Sequence, residues 1–262
     1  MADMILQTIA EYTKERVKAA KMIRPLPDLR REAELMRRAG SFPFEKALSG
    51  EDIGFICECK KASPSKGLIA PEFPFLQIAK SYEEAGAACI SVLTEPKWFL
   101  GSDEYLKEIA HEVSIPCLRK DFTVDEYMIY EAKLLGASAI LLICSLTDTG
   151  RLREYLAICR ELGLSALVEA HDEAEIASAV EAGARIIGVN NRNLKDFSVD
   201  VHNSERLRAL VPPQILFVAE SGIRTPEDID VLRRAGLNGV LIGETLMRAE
   251  NKKEMLRWLR GE

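Results

Sequence analysis

The segment AILLICSLTDTGRLREYLAICRELGLSALVEAHDEAEIASAVEAGARIIGVN, residues 139–190, contains three short aliphatic runs separated by two longer amphipathic segments. The aliphatic runs are AILLIC from Ala139, ALVEA from Ala166 and IIGVN from Ile186. Each has the length of a buried strand, and each segment between them has the spacing of a helix that ends at a glycine. Near-continuous apolar strands that alternate with helices predict a parallel sheet covered by helices.

The same strand and helix unit recurs along the chain from Phe55 onward. The other candidate strands are FICEC from Phe55, CISVL from Cys89, CLRK from Cys117, ILFVAE from Ile215 and GVLIG from Gly239. Eight such units over about 200 residues are typical of an α/β protein of the (β/α)8 barrel type. A doubly wound sheet is the alternative, but no GxGxxG motif follows the first strand. We therefore expect a single barrel domain over 1–262, with eight βα units over 51–262.

An N-terminal helical extension over residues 1–50 precedes the predicted barrel. Ile5, Ile9 and Val17 fall near one helical face, and Asp28 can cap a second helix that ends at Gly40. Such an extension has to pack on the barrel, either across its floor or over its mouth. Composition alone does not distinguish the two positions.

The composition is that of a globular protein with a large core. The chain has 262 residues, 47% hydrophobic and 29% charged, with a formal net charge of -6. A mildly acidic chain lacks the basic surface that nucleic-acid binding requires. No apolar run approaches the roughly 20 residues of a membrane helix, and the N-terminus lacks the basic region of a secretory signal. We therefore expect a cytoplasmic protein that binds neither nucleic acid nor membrane.

The six cysteines lie mostly inside apolar runs, without a CxxC motif or clustered histidines. Free cysteine in such surroundings behaves as a small hydrophobic residue. The pattern therefore favours neither disulfides nor a metal site.

Charged residues lie where the predicted strands end, and (β/α)8 barrels place their active sites at those ends. With a period of two, Glu58 and Lys60 share the inner face of the first strand with Ile56, while Cys57 and Cys59 face outward. The other residues at strand ends are Lys120, Glu169, Asn190, Arg192, Glu220 and Ser221. Charges that converge in a barrel mouth are costly to desolvate unless they are paired or used. A structural ion network is one interpretation, but the arrangement favours a catalytic cluster.

Glycines follow the last two predicted strands, Gly222 in ESGI and Gly243 in LIGE. Barrels often bind phosphate in these two loops, because glycine lets backbone N–H groups approach the anion. Trp98, Phe99 and Phe122 follow the second and third strands, where they either pack the loops or hold a flat apolar ligand. The loops therefore predict a phosphate site beside an aromatic wall.

Seven blocks of the sequence, in order, resemble those of the indole-3-glycerol-phosphate synthase family. They are ECKKASPSKG from Glu58, LTEPKWFLGS from Leu93, LRKDF from Leu118, LVEAHD from Leu167, IIGVNNRNL from Ile186, VAESGI from Val218 and VLIGE from Val240. The blocks span nearly the whole barrel, and the helical extension also fits this TIM-barrel family. The resemblance implies a carboxy-lyase of tryptophan biosynthesis. Its reaction would convert 1-(2-carboxyphenylamino)-1-deoxyribulose 5-phosphate to indole-3-glycerol phosphate, carbon dioxide and water.

The resemblance also implies catalytic roles. Lys120 matches the general acid that protonates the ketone oxygen while the aryl carbon bearing the carboxylate attacks, and an ammonium also stabilises the developing alkoxide. Glu169 and either Lys60 or Glu58 match residues assigned to the later dehydration. That step needs a base for the anilino proton and an acid for the departing hydroxyl, and the sequence leaves open which residue does which.

Other matches concern orientation and binding. Asn190 and Glu220 match positions that orient the substrate and the catalytic groups. The matches to substrate binding are Ser63, Pro64, Phe99, Phe122, Leu141, Arg192 and Ser221, and those to the phosphate are Gly222, Gly243 and Glu244. Some relatives carry serine at the position of Glu244, so we expect a backbone N–H contact there with the carboxylate turned outward. The first helix would lean over the mouth, with Ile5 or Ile9 as contacts.

The implied partner is a small-molecule sugar phosphate, with no cofactor and no metal. The chain is expected to be a monomer, or to dock on a neighbouring tryptophan-pathway enzyme. A sister barrel, phosphoribosylanthranilate isomerase, uses a first-strand cysteine, but the alternation turns Cys59 toward the helices. A barrel that binds without turnover is the second alternative, and the presence of Lys60, Lys120 and Glu169 argues against it. None of the three histidines has an implied role.

Overall fold

The computed structural model describes residues 2–36, 40–192, 198–200 and 202–262. Eight parallel strands of these residues close into a barrel in sequence order, with the last strand paired to the first. They are β1 Gly54–Cys59, β2 Cys89–Leu93, β3 Cys117–Lys120, β4 Ala139–Ile143, β5 Ser165–Ala170, β6 Ile186–Asn190, β7 Leu216–Glu220 and β8 Gly239–Ile242. The predicted (β/α)8 barrel is confirmed, and each strand lies within one residue of its predicted bounds.

Helices precede the barrel and surround it. Their bounds are α1 Ala2–Ile23, α2 Leu26–Leu35, α3 Pro43–Leu48, α4 Phe75–Glu84, α5 Asp103–Glu112, α6 Glu126–Leu134, α7 Thr149–Leu162, α8 Glu173–Ala182, α9 His202–Arg208, α10 Pro226–Arg234, α11 Glu244–Arg248 and α12 Lys252–Arg260. Side chains of Asp148 and Asp172 accept backbone N–H groups at the starts of α7 and α8. Gly163 and Gly183 end the same helices in the left-handed conformation, as predicted. In the described part of the chain, no helix is both long and apolar enough to cross a membrane.

A short antiparallel ladder follows β1 and was not predicted. Its strands, Ala62–Ser63 and Gly67–Leu68, have only two residues each, which is too short for any periodic pattern. The ladder folds the long loop after β1 back on itself beside the barrel mouth.

Two apolar layers follow from the strand alternation. Ile56 packs with residues such as Leu118 and Leu167 in the barrel interior, whereas Cys57 and Cys59 pack between strands and helices. The alternation predicted for β1 is therefore observed, and Cys59 faces away from the interior. All six cysteines are buried free thiols.

The extension packs at both ends of the barrel. Ile5, Leu6 and Ile9 of α1 line the mouth. Phe44 and Leu48 of α3 are fully buried and pack with the interior layer. Leu48 packs against Gly54 and Gly239, at the starts of β1 and β8. A Cβ atom on Gly54 would lie only 2.9 Å from Cδ2 of Leu48. One segment therefore covers the mouth and closes the floor.

The predicted bounds of the second helix were wrong. Helix α2 begins at Leu26 after Pro25, not at Asp28, because Pro27 fits the first turn, where a missing N–H costs nothing. It ends at Leu35 rather than Gly40, and residues 37–39 lie outside the described residues.

Candidate active site

A cavity of about 410 Å³ opens at the carboxyl ends of the strands. All the site residues that the resemblance implies line it: Glu58, Lys60, Ser63, Pro64, Phe99, Lys120, Phe122, Leu141, Glu169, Asn190, Arg192, Glu220, Ser221, Gly222, Gly243 and Glu244. Because barrel strands end at one rim, side chains distant in sequence converge there. Asn193 and Leu194, which end the block that starts at Ile186, lie outside the described residues.

Lys120 lies at the centre of the buried charges. Its Nζ is 3.7 Å from Oε2 of Glu169 and 3.6 Å from Oε2 of Glu220. Burial alone would lower the pKa of Lys120, but Glu220, Glu169 and Glu58 outweigh it and hold the pKa above its ordinary value. The side chain is therefore an ammonium that can donate a proton into the cavity.

Glu220 is the carboxyl group that stays neutral in this cluster. Burial first, and then the charge of Glu169, raise its pKa to about 8. Gly188 on the neighbouring strand makes room for it, because a Cβ atom there would overlap Oε1 of Glu220. Near neutral pH, the positive charge of Lys120 is therefore balanced mainly by Glu169.

Glu58 and Lys60 form a second pair, at the end of β1. Lys60 Nζ donates to Oε1 of Glu58, and Ser91 Oγ donates to Oε2 at 3.5 Å. Burial raises the pKa of Glu58, but Lys60 and Lys120 together lower it by more than burial raises it. The net shift is downward, and the carboxylate is ionised. Gly243 packs against this pair, since a Cβ atom there would overlap Glu58 and stand 2.7 Å from Lys60 Nζ. Gly243 therefore leaves space for the pair, a purpose that the sequence did not reveal.

Aromatic and aliphatic side chains form the opposite wall. The rings of Phe99 and Phe122 lie 6.0 Å apart, near Leu141 and the apolar residues of α1. Trp98 does not line the cavity, so the interpretation that it holds a flat ligand was wrong. Its ring instead packs edge-on against Tyr12 of α1, with the ring centroids 5.4 Å apart. Phe99 and Phe122 thus give the cavity an aromatic side.

Glu95 positions this wall and was missed from the sequence. Its fully buried carboxylate accepts the backbone N–H groups of Lys97, Trp98 and Phe99 at 2.7–3.0 Å. A carboxylate that is a few residues from several amides can organise a loop in this way. The only signal in the sequence was a charged residue directly before Pro96 at a strand end.

The glycine-containing loops form the far end of the cavity. Ser221 and Gly222 both have positive φ, 68° and 84°. For a residue with a side chain, this conformation is strained, and such strain is concentrated at functional sites. The loop therefore exposes backbone to the cavity at the predicted phosphate position.

Glu244 is not turned outward, contrary to expectation. Its carboxylate lies 3.1 Å from Arg248, 3.4 Å from Lys66 and 3.9 Å from Arg192. Although burial raises its pKa, Arg248 and Lys66 lower it below the ordinary value. The three cations attract the carboxylate across the cavity rim. Lys66 and Arg248 were not recognised as site residues from the sequence. Lys66 pairs with Glu244, which is distant in sequence, and Arg248 lies in α11, beyond the VLIGE block that starts at Val240.

The match to known proteins covers nearly the entire chain. The family model described as Indole-3-glycerol phosphate synthase matches residues 6–259. The Indole-3-glycerol phosphate synthase of Ruminiclostridium cellulolyticum is 59% identical, over 98% of this chain and 99% of that protein. The protein of the same name from Lachnoclostridium phytofermentans is 53% identical, over 98% and 99% of the two chains.

Solved structures with low identity share the barrel. The 3-hexulose-6-phosphate synthase from Salmonella typhimurium superposes with a TM-score of 0.66 at 13% identity, covering 80% of this chain and 97% of that one. KGPDC from Streptococcus mutans gives a TM-score of 0.63 at 11% identity, over 80% and 97%. At these identities, the likeness shows the fold alone.

Proposed function

Because the chain belongs to the indole-3-glycerol phosphate synthase family and has its carboxy-lyase activity in tryptophan biosynthesis, we propose how the cavity divides that chemistry among its residues. The 2-carboxyphenyl ring of the substrate binds against Phe99 and Phe122. The phosphate binds at the opposite end, to backbone N–H groups near Gly222 and Gly243. The ketone of the ribulose chain then lies between them, over the buried charges.

Lys120 is the general acid of ring closure. Its ammonium donates to the ketone oxygen as the aryl carbon attacks, and it stabilises the negative charge that develops there. Carbon dioxide then leaves and aromaticity returns. The observation that carries this role is the position of Nζ, within 3.7 Å of the carboxyl groups of Glu169 and Glu220 at the cavity.

Glu169, with Lys60 or Glu58, carries out the dehydration. The cavity that contains Glu169 also contains the pair formed by Glu58 and Lys60. An acid and a base can therefore act on one bound intermediate. Asn190 and Glu220 orient the substrate and the charged groups. Ser63, Pro64, Leu141, Arg192 and Ser221 complete the binding surface, and Glu244 adjusts the charge at the phosphate end.

The extension and the barrel act as one domain and as a monomer. Residues of α1 line the same cavity as the barrel strands, and α3 closes the floor of the same barrel. A single chain therefore contains the binding surface, the apolar cover and the charged residues.

A direct assay tests this proposal. The substrate is added to the wild type and to Lys120→Met without metal or nucleotide, and indole fluorescence is followed. We expect fluorescence to increase only with the wild type, while Lys120→Met still binds the substrate. Turnover by Lys120→Met at the wild-type rate would contradict the role of Lys120, and no turnover by either protein would contradict the whole proposal.

A further inference from the structure

His171 has no part in the chemistry above, although it lies beside the buried charges. It directly follows β5, and its ring lies between two glutamates. Nε2 is 3.4 Å from Oε1 of Glu169, and Nδ1 is 3.1 Å from Oε2 of Glu175. The backbone N–H of His171 also donates to Oε2 of Glu175, at 2.8 Å. The ring is thus held by Glu175 on one side and directed at Glu169 on the other.

The nitrogen that faces Glu169 is shielded from solvent. Among the described residues, Nε2 of His171 makes no hydrogen bond of good geometry, although Glu169 is within ion-pair distance. Buried polar atoms of this kind are uncommon and often mark a functional position. A small movement of either side chain would join Nε2 to Glu169.

The groups around the ring favour its protonated form. The carboxyl groups that face it are Glu169 from β5, Glu175 from α8 and Glu220 from β7. Burial lowers the pKa of His171, but Glu175 and Glu169 raise it more, so that the pKa lies above its ordinary value of 6.5. Near neutral pH, the imidazolium form is therefore more populated than in a free histidine.

The reaction itself consumes one proton per turnover. The ketone oxygen takes up two protons to leave as water, and the ring system gives one proton back when the indole forms. The carboxylate leaves as neutral carbon dioxide, so one proton has to come from solution. Because the charged groups are buried beneath the substrate, this proton needs a donor in contact with them.

We propose that His171 supplies this proton to Glu169 in each turnover. The N–H bond at Nε2 breaks and an O–H bond forms at Oε1 of Glu169. The proton on Nδ1 stays there and remains hydrogen-bonded to the carboxylate of Glu175. Glu169 then passes the proton to the departing hydroxyl, which leaves as water. After the product leaves, the neutral ring regains a proton at Nε2 through Glu169, which lines the cavity and is then reached by solvent. This inference rests on the proposed function, makes Glu169 the acid of the dehydration, and makes His171 a positioning residue that acts through Glu169.

The first test compares the wild type with His171→Asn. We expect kcat to fall about 10- to 100-fold, less than for a direct acid or base, with KM within about twofold. In the wild type, kcat should fall as the pH rises through the pKa of His171, since only the imidazolium donates. His171→Asn should lack this alkaline decrease. His202→Asn is the matched control, because His202 also pairs with a glutamate, Glu205 at 2.9 Å, but lies exposed on α9.

Two further variants address folding and chemistry separately. Glu175→Gln keeps the ring but removes its anionic partner, so the alkaline decrease in kcat should move to lower pH. Imidazole should restore part of the activity of His171→Gly, and more so at lower pH, where it is protonated. If His171→Asn fails to fold, these two variants decide the question.

Specific results would overturn the inference. An alkaline decrease that persists unchanged in His171→Asn would belong to Glu220, whose pKa is about 8, and not to His171. A rise in KM at constant kcat would show that His171 only shapes the binding surface. Absence of indole formation by the wild type would contradict the proposed function instead, so the two failures are distinguishable.

Discussion

Arg16 of α1 and Asp121, the residue after Lys120, form an ion pair of 2.8 Å in which the carboxylate is buried. Asp121 also accepts the hydroxyl of Thr94 at 2.7 Å and the backbone N–H of Phe122 at 2.8 Å. The helix that covers the cavity is therefore bonded to the residue that lies between the general acid Lys120 and Phe122 of the aromatic wall. A change in the position of α1 reaches the loop after β3 through two carboxylates, since Lys21 of α1 also pairs with Asp125 at 2.7 Å.

Arg16→Ala should weaken substrate binding more than it slows chemistry. Removal of the guanidinium leaves Asp121 with two of its three partners, which costs roughly 1–3 kcal/mol of stability. Because the helix would then cover the cavity less firmly, we expect KM to rise about 10-fold with a smaller change in kcat. Steady-state kinetics and urea unfolding measure both. Lys14→Ala, which removes an exposed pair with Glu11 on the same helix, should change neither, and an unchanged KM in Arg16→Ala would contradict the prediction.

Gly243→Ala should impair catalysis through the Glu58 and Lys60 pair. The new methyl group would occupy the space of Oε1 of Glu58, so the pair has to move away from its position under the substrate. A misplacement of about 1 Å can cost on the order of 100-fold in rate. The measurement is kcat, with Gly50→Ala as a control, since a Cβ atom on Gly50 would make only an ordinary contact, 3.9 Å from the backbone oxygen of Asp52. Equal kcat in both variants would show that the pair need not stay in place.

Glu220→Gln should change how stability depends on pH. The pKa of Glu220 is raised from 4.5 to about 8, so the folded protein keeps a proton that the unfolded chain releases. The stability contributed by this group is complete below about pH 4.5 and is lost as the pH rises toward 8. Relative to the wild type, Glu220→Gln should therefore become progressively more stable between about pH 5 and 8. Urea unfolding of both proteins at several pH values tests this, and a difference that does not change with pH would refute it.

Glu244→Ser should bind phosphate compounds more tightly. The carboxylate of Glu244 neutralises Lys66, Arg192 and Arg248, and its loss would leave these cations available to the phosphate dianion. Since partly exposed pairs contribute about 0.2–1 kcal/mol each, we expect a gain of about two- to fivefold. Competitive inhibition by inorganic phosphate provides the measurement. Glu250→Gln, on the exposed segment after α11, is the control, and weaker inhibition of Glu244→Ser would show that Glu244 instead holds the cations in position.

Sequence patterns predicted the barrel well because its signal is repeated. Strands such as Ala139–Ile143 are aliphatic runs between helices, so periodicity, length and glycine stops all agree on their bounds. The inward direction of Glu58 followed from the alternation with Ile56. The convergence of Lys120 with Glu169 followed from the rule that barrel strands end at one rim.

Contacts between distant segments were not predictable in this way. The direction of Glu244 depends on Lys66 and Arg192, which no local pattern connects to it. The role of Asp121 depends on Arg16, 105 residues earlier. Asp28 illustrates the opposite error, because a residue suited to a cap lies inside a helix that already begins at Leu26. Local patterns therefore determine the elements, whereas long-range pairing determines the side-chain directions on which the chemistry depends.

The extension that covers the mouth and closes the floor also affects biosynthesis. Some of its partners lie far along the chain: Glu45 of α3 pairs with Arg185, and Leu48 packs against Gly239. Because β1 also pairs with β8, the packing of α3 on the barrel floor can be completed only after β8 has been translated. Until then Phe44 and Leu48, which are fully buried in the finished barrel, lack part of their packing, so we expect chaperones to bind nascent chains at α3.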